Sequence, residues 1–146
     1  MSIKGKTMNE KITIKQAFNA MTSYLEKDYK RTNSDEVGGL LGDLLLFPDG
    51  GTFDPAAWED WIEAVNDIVG DKNYLLTRLE SFKVVNSFLK KFCSFPSEGD
   101  DVSRIIKAFV VDENDKPTNN DTWNLWLKCI KKAIENEGKP YKSPFV

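Results

Sequence analysis

Carboxylates dominate the part of this 146-residue chain whose residue types could do chemistry. Between Thr32 and Asp71 there is no Lys or Arg, and there are ten acids: Asp35, Glu36, Asp43, Asp49, Asp54, Glu59, Asp60, Glu63, Asp67 and Asp71. Carboxylates can serve as a general acid and base when a pocket collects them and perturbs their pKa values. No pattern in this sequence indicates such a pocket.

Histidine is absent from the chain, which removes the usual general base, the Ser-His and Cys-His nucleophile pairs and the commonest metal ligand. Cys93 and Cys129 lack metal-type spacing and fall inside apolar helical patterns, as is typical of reduced, buried thiols. We therefore predict no catalytic residue, no metal ligand and no cofactor. A carboxylate-dependent enzyme is kept only as a third hypothesis.

The acids are arranged in a way that local stability does not explain. Glu59, Glu63 and Asp67 stand at successive i, i+4 positions of a predicted helix, with Asp60 beside them, and like charges at that spacing repel. Glu63 and Asp67 also lie toward the carboxyl end, where the helix dipole disfavours anions. The two interpretations are a solvated face that keeps the protein soluble and a surface that meets a basic partner.

The elements that position these acids come from an internal repeat. Residues 12–69 (copy one) and 76–134 (copy two) read as diverged copies of one three-helix unit. Thr13 and Phe18 recur 64 residues later as Thr77 and Phe82. After a one-residue insertion, the later positions recur at an offset of 65: Val37, Leu40, Leu41, Leu44, Trp58, Trp61 and Val65 match Val102, Ile105, Ile106, Phe109, Trp123, Trp126 and Ile130.

Each predicted helix has a recognisable start. The first helices begin with capping boxes, Thr13–Gln16 and Thr77–Glu80. The second helices begin after Ser34 and Asp100, and the third begin at Asp54-Pro55 and Asn119. Gly38, Gly39 and Gly42 weaken a helix, so we expect close backbone packing or a distorted first turn there.

These signals predict an all-α fold: about six main helices formed by two tandem three-helix repeats, packed as one bundle or a short array. We expect a single helical domain over residues 1–146, with 138–146 as a Pro-containing C-terminal tail. Residues 1–11 lack the apolar core of a signal peptide, and no apolar run is long enough to span a bilayer. We expect a cytoplasmic protein with no membrane partner.

Comparing the copies separates core from surface. The tryptophan stripe is present in both, whereas Glu59, Asp60, Glu63 and Asp67 align with Asn124, Leu125, Lys128 and Lys132. We therefore predict a partner-binding surface on copy one, the acidic face, made of Asp35, Glu36, Asp43, Asp49, Glu59, Asp60, Glu63 and Asp67. It would repel nucleic acid and suit a protein with a basic surface, such as a nuclease.

The segment from Ile14 to Val65 resembles small bacterial immunity proteins encoded beside polymorphic toxins, including contact-dependent growth inhibition systems. The resemblance depends on Ala17-Phe18-Asn19-Ala20-Met21, Tyr24-Leu25-Glu26, Arg31-Thr32, Ser34-Asp35, Gly38-Gly39-Leu40-Leu41 and Asp54-Pro55-Ala56-Ala57-Trp58-Glu59-Asp60-Trp61. In copy two, Ser103-Arg104 replaces the paired glycines.

This resemblance implies an inhibitor in the cytoplasm that binds a cognate toxin domain and covers or distorts its active site. The alternative is a helical adaptor or regulator that holds a peptide helix in an apolar groove. The oligomeric state, and whether copy two contacts the partner, are left open by the sequence.

Overall fold

The computed structural model describes residues 11–46, 51–70, 74–93 and 100–137. In copy one these residues form β1 (Ile12–Thr13), α1 (Ile14–Thr32), α2 (Asp35–Asp43) and α3 (Pro55–Val69). In copy two they form β2 (Leu75–Leu76), α4 (Arg78–Phe92), α5 (Asp101–Ala108) and α6 (Asn120–Glu135). The predicted all-α class with about six helices is confirmed. The short β1–β2 ribbon was not predicted.

The helix starts follow from their capping side chains. In both capping boxes the Thr hydroxyl accepts the N–H of the third helical residue at 3.0 Å, and the side chain of that residue accepts the Thr N–H in return. Ser34 caps α2, Asp54 caps α3 and Asn119 caps α6 through side-chain oxygens that accept backbone N–H groups. These contacts satisfy donors that a helix start would otherwise leave without partners.

The two copies interlock. The most extensive helix contacts join α1 to α6 and α3 to α4, so the first helix of each copy lies along the third helix of the other. In the antiparallel ribbon, Ile12 pairs with Leu76, which is its own equivalent 64 residues later. A pair of equivalent residues facing each other marks a pseudo-twofold axis at the ribbon. The copies therefore form one pseudo-symmetric bundle rather than an array.

Aromatic contacts repeat across this axis. Phe18 and Trp58 have ring centroids 5.3 Å apart, and the equivalent Phe82 and Trp123 are also 5.3 Å apart. Trp61 Nε1 donates to the carbonyl of Ile14 at 3.1 Å. In copy two, Trp126 Nε1 donates to Ser81 Oγ at 3.1 Å, and that hydroxyl donates to the carbonyl of Arg78, the equivalent of Ile14. Each buried indole N–H is thus satisfied at the first turn of a capped helix.

The glycines of α2 only partly match the expectation. At Gly38 a Cβ would lie 2.7 Å from Tyr29 Cε1, so the close approach is to an aromatic side chain. At Gly39 and Gly42, no described atom lies within 4 Å of where a Cβ would be. The expected close packing is wrong at these two positions, where the helix surface faces open space. Within the described residues, no helix has the length and apolarity needed to cross a membrane.

Candidate functional site

The acidic face is carried by α2, α3 and their connection. Asp35, Glu36 and Asp43 lie on α2, and four more of its acids lie on α3: Glu59, Asp60, Glu63 and Asp67. Asp43 and Asp60 are half-buried, and the other five are exposed. Asp49 lies outside the described residues. The predicted residues on these two helices therefore reach solvent, but several also have partners within the chain.

Glu36 has a structural role that the sequence did not indicate. Asp100, the N-cap of α5, makes no side-chain capping bond, and Glu36 Oε1 accepts the N–H of Val102 at 2.6 Å instead. Asp101, the equivalent of Glu36, accepts the Ser34 hydroxyl of α2 at 2.6 Å. Each carboxylate thus reaches the N-terminal turn of the other copy's second helix. Glu36 is at least partly committed to joining the copies.

Glu63 and Asp67 share a cation from copy two. Lys91 Nζ lies 3.1 Å from Glu63 Oε1 and 2.8 Å from Asp67 Oδ2. Hydrogen bonds to Asp67 and then to Glu63 raise the pKa of Lys91. The segment from Thr32 to Asp71 contains no Lys or Arg, but the fold places Lys91 beside two of its acids, because α4 lies along α3. Both carboxylates remain accessible, with side-chain exposures of 63% and 50%.

Asp43 and Asp54 are two neighbouring acids where α2 ends and α3 begins. The N–H of Asp54 donates to the carbonyl of Asp43 at 3.1 Å. Desolvation and, secondly, the nearby Asp54 carboxylate raise the pKa of Asp43 above its usual value. A partner cation placed here would relieve this repulsion. The open surface over Gly39 and Gly42 lies on the same helix as Asp43, so this part of the acidic face leaves room for an incoming side chain.

The equivalent surface of copy two has the opposite charge. Arg104 stands where copy one has Gly39, and Lys107 stands where it has Gly42. Ala108 and Asn119 replace Asp43 and Asp54. At these four positions copy one therefore has two acids and two glycines, and copy two has two cations and no acid; Asp100 and Asp101 still match Asp35 and Glu36.

Two further features bear on metal binding and thiol chemistry within the described residues. They contain no group of three or more His, Cys, Asp or Glu side chains placed to hold a metal ion. Burial raises the pKa of Cys93 to about 11, with smaller contributions from Glu36 and Asp43, and burial also raises the pKa of Cys129. A thiol with such a pKa is largely protonated at neutral pH and is a poor nucleophile.

Comparison of the chain with protein-family models, with curated proteins and with solved structures gave no match.

Sequence reasoning counted Asp54 among the acids but left it out of the acidic face, and it missed Lys91, Arg104 and Lys107 as parts of charged surfaces. A signal for the last two was present, because they align with Gly39 and Gly42, which are unusual residues for a helix. No local signal identifies Lys91, since its partners lie 28 and 24 residues away on another helix.

Proposed function

We propose that this chain is an immunity protein that acts in the cytoplasm, where it binds and neutralises a cognate bacterial toxin domain. The toxin would have a basic surface, as a nuclease does around its nucleic-acid groove. The acidic face would dock on that surface, and the opposite charges would speed encounter and fix orientation.

One observation carries this proposal: the two copies share a backbone but differ in charge at Gly39, Gly42 and Asp43 and along the third helix, although Asp100 and Asp101 keep the acids of Asp35 and Glu36. Gly39 and Gly42 face open space, so larger residues would fit there. Copy two has Arg104 and Lys107 at those positions without loss of the helix. The requirements of the fold therefore do not explain Gly39 and Gly42, and selection for a surface that admits a partner's cations would.

The acids on α2 and α3 also differ in whether they already pair with a cation of the same chain. Among the described residues, Asp35 and Glu59 are exposed and have no ion-pair partner, whereas Glu63 and Asp67 share Lys91. Asp35 and Glu59 are thus the best placed to pair with a partner's cations. Truncating an exposed interface charge mainly changes the association rate and its salt dependence.

The test uses the C-terminal domain of the protein encoded immediately upstream as the binding partner. Binding kinetics would be measured at low and high salt for the chain and for a variant with Asp35→Lys and Glu59→Lys. We expect the association rate to fall at least about tenfold at low salt, and the difference to shrink at high salt. The matched control, Glu113→Lys with Glu135→Lys, makes the same charge change at exposed positions of copy two.

A second pair of variants tests the open glycine surface. Gly39→Arg with Gly42→Lys installs the copy-two residues in copy one, and Gly39→Ala with Gly42→Ala adds only methyl groups. We expect the first variant to lose protection against the toxin while remaining folded, and the second to keep most of it. Full protection by the Arg and Lys variant would rule out this surface as the docking site.

Reversing Glu59, Asp60, Glu63 and Asp67 together to Lys is a coarser test, because it also removes both partners of Lys91. The adaptor alternative has less support. The large hydrophobic side chains that are exposed are spread over four separate parts of the described chain: Phe53, the adjacent Tyr74 and Leu75, Val110, and Ile134.

A further inference from the structure

A cleft of about 360 Å³ opens on the side of the bundle where α1, α5 and the start of α6 meet. Three cationic side chains line it, Arg31, Arg104 and Lys107, together with the hydroxyls of Tyr24 and Thr122. A smaller adjoining cavity of about 140 Å³ shares Tyr24 and Arg31 and adds Lys27. Neither cavity includes a residue of the acidic face.

A buried carboxylate holds the two guanidinium groups in place. Asp28, whose side chain is 5% exposed, accepts hydrogen bonds from Arg104 Nη1 and Nη2, both at 3.0 Å. It also accepts one from Arg31 Nη2 at 2.8 Å. A guanidinium has five N–H donors, so both arginines keep donors beyond those that Asp28 accepts. One carboxylate thus fixes two cations at the wall of the cleft.

The hydroxyl groups add neutral donors beside these cations. Tyr24 Oη and Thr122 Oγ1 lie 3.4 Å apart, and Thr122 belongs to the first turn of α6. Burial is the largest cause of a raised pKa at Tyr24, partly offset by its hydrogen bond to Thr122, and Asp28 raises this pKa further. The phenol therefore keeps its proton at neutral pH and can donate it to an anion.

The cleft carries an excess of positive charge. Lys27, Arg31 and Arg104 line the two cavities, against the carboxylate of Asp28 and that of Asp101, which lies 3.9 Å from Arg104 Nη2. Copy one has glycine where copy two has Arg104 and Lys107, so these cations are specific to copy two. A fixed pair of arginines with neighbouring hydroxyl donors is the arrangement that binds a phosphate group in several hydrogen bonds at once.

We propose that this cleft binds a small molecule that carries a phosphate group. Its volume lies within the range of small-ligand sites. A long polyanion is disfavoured by the net charge of −3 and by the acids on α3. The site is separate from the toxin-docking surface proposed above, and either proposal can fail without the other.

The test is titration of the full ¹⁵N-labelled chain, followed by NMR, first with inorganic phosphate and then with adenosine monophosphate. We expect saturable shifts of the Thr122 amide and of the Arg31 and Arg104 Nε–H signals, with tighter binding of the nucleotide. Arg31→Gln with Lys107→Gln should weaken binding at least about tenfold. Both side chains are at the surface, and Asp28 keeps Arg104 as a partner in this variant.

The matched control is Lys116→Gln with Lys131→Gln, which removes two exposed cations outside the cleft. Equal weakening by the control would show general ionic attraction and overturn the proposal. Shifts that do not saturate, or that are spread over the surface, would overturn it too. If a short single-stranded oligonucleotide bound more tightly than the mononucleotide, the ligand would be a nucleic acid and the small-molecule proposal would be wrong. Lys107→Gln by itself provides a second variant if the double variant unfolds.

Discussion

The buried carboxylate of Asp28 provides a quantitative test of how the two copies are held together. It lies on α1 of copy one, and two of its three hydrogen bonds come from Arg104 on α5 of copy two. Asp28→Asn keeps the shape of the side chain and removes the charge. It also places an amide N–H₂ group, which can only donate, against one of the guanidinium donors.

The expected loss follows from how exposed each partner is. Removing one partner of a fully buried ion pair costs about 3–5 kcal/mol. Here the side chains of Arg104 and Arg31 are 45% and 68% exposed, so water can solvate both once the carboxylate is gone. The ion pair with Arg31 therefore contributes little to stability, and most of the expected loss comes from the two hydrogen bonds with Arg104. We expect Asp28→Asn to lower the free energy of unfolding by about 2 kcal/mol, or the melting temperature by about 6 °C.

The assay is urea unfolding followed by circular dichroism at 222 nm, with Lys30→Gln as the control. Lys30 pairs with Glu26 one helical turn away, and its side chain is 64% exposed, so its loss should cost less than about 0.5 kcal/mol. In a double-mutant cycle, Asp28→Asn and Arg104→Gln should couple by about 1 kcal/mol or more. A loss at Asp28 no larger than the loss at Lys30, or no coupling with Arg104, would refute this account of the junction.

Three further predictions concern α2, a thiol and the shared lysine. Gly39→Ala should stabilise the chain by about 0.5–1 kcal/mol in thermal unfolding, whereas Gly38→Ala should destabilise it, because its methyl would meet Tyr29. With a pKa of about 11, Cys93 should react with iodoacetamide at pH 8 about a hundredfold more slowly than an ordinary cysteine, and should lose this protection in urea. Lys91→Gln should speed association with the basic partner at low salt, because it exposes the charge of Glu63 and Asp67; an unchanged rate would place both acids outside the encounter surface.

The features that sequence predicted well depend on neighbours along the chain. A capping box needs only residues three positions apart, and both Thr13–Gln16 and Thr77–Glu80 form as expected. The same holds for Asp54, which caps α3 just before Pro55. These residues determine where a helix begins, and their effect does not depend on any other helix.

The features that sequence missed depend on which helices meet. A tandem repeat can pack each copy on itself or exchange contacts between copies, and the apolar stripes are compatible with both. Only the exchanged arrangement brings Lys91 between Glu63 and Asp67. The cationic cleft was missed for the same reason, because Arg31 and Arg104 are neighbours only once Arg104 of α5 reaches Asp28 of α1.

The reciprocal packing also determines where the copies could diverge. Phe18 contacts Trp58 of its own copy and lies 6.4 Å from Phe88 of the other, so a change at such a position disturbs both halves at once. Two positions of α2 have no such constraint, as the open space at Gly39 and Gly42 illustrates. A change of charge there costs the fold little. Folding therefore does not explain why Gly39 and Gly42 are replaced by cations in copy two, and this supports the proposal that the two faces meet different ligands.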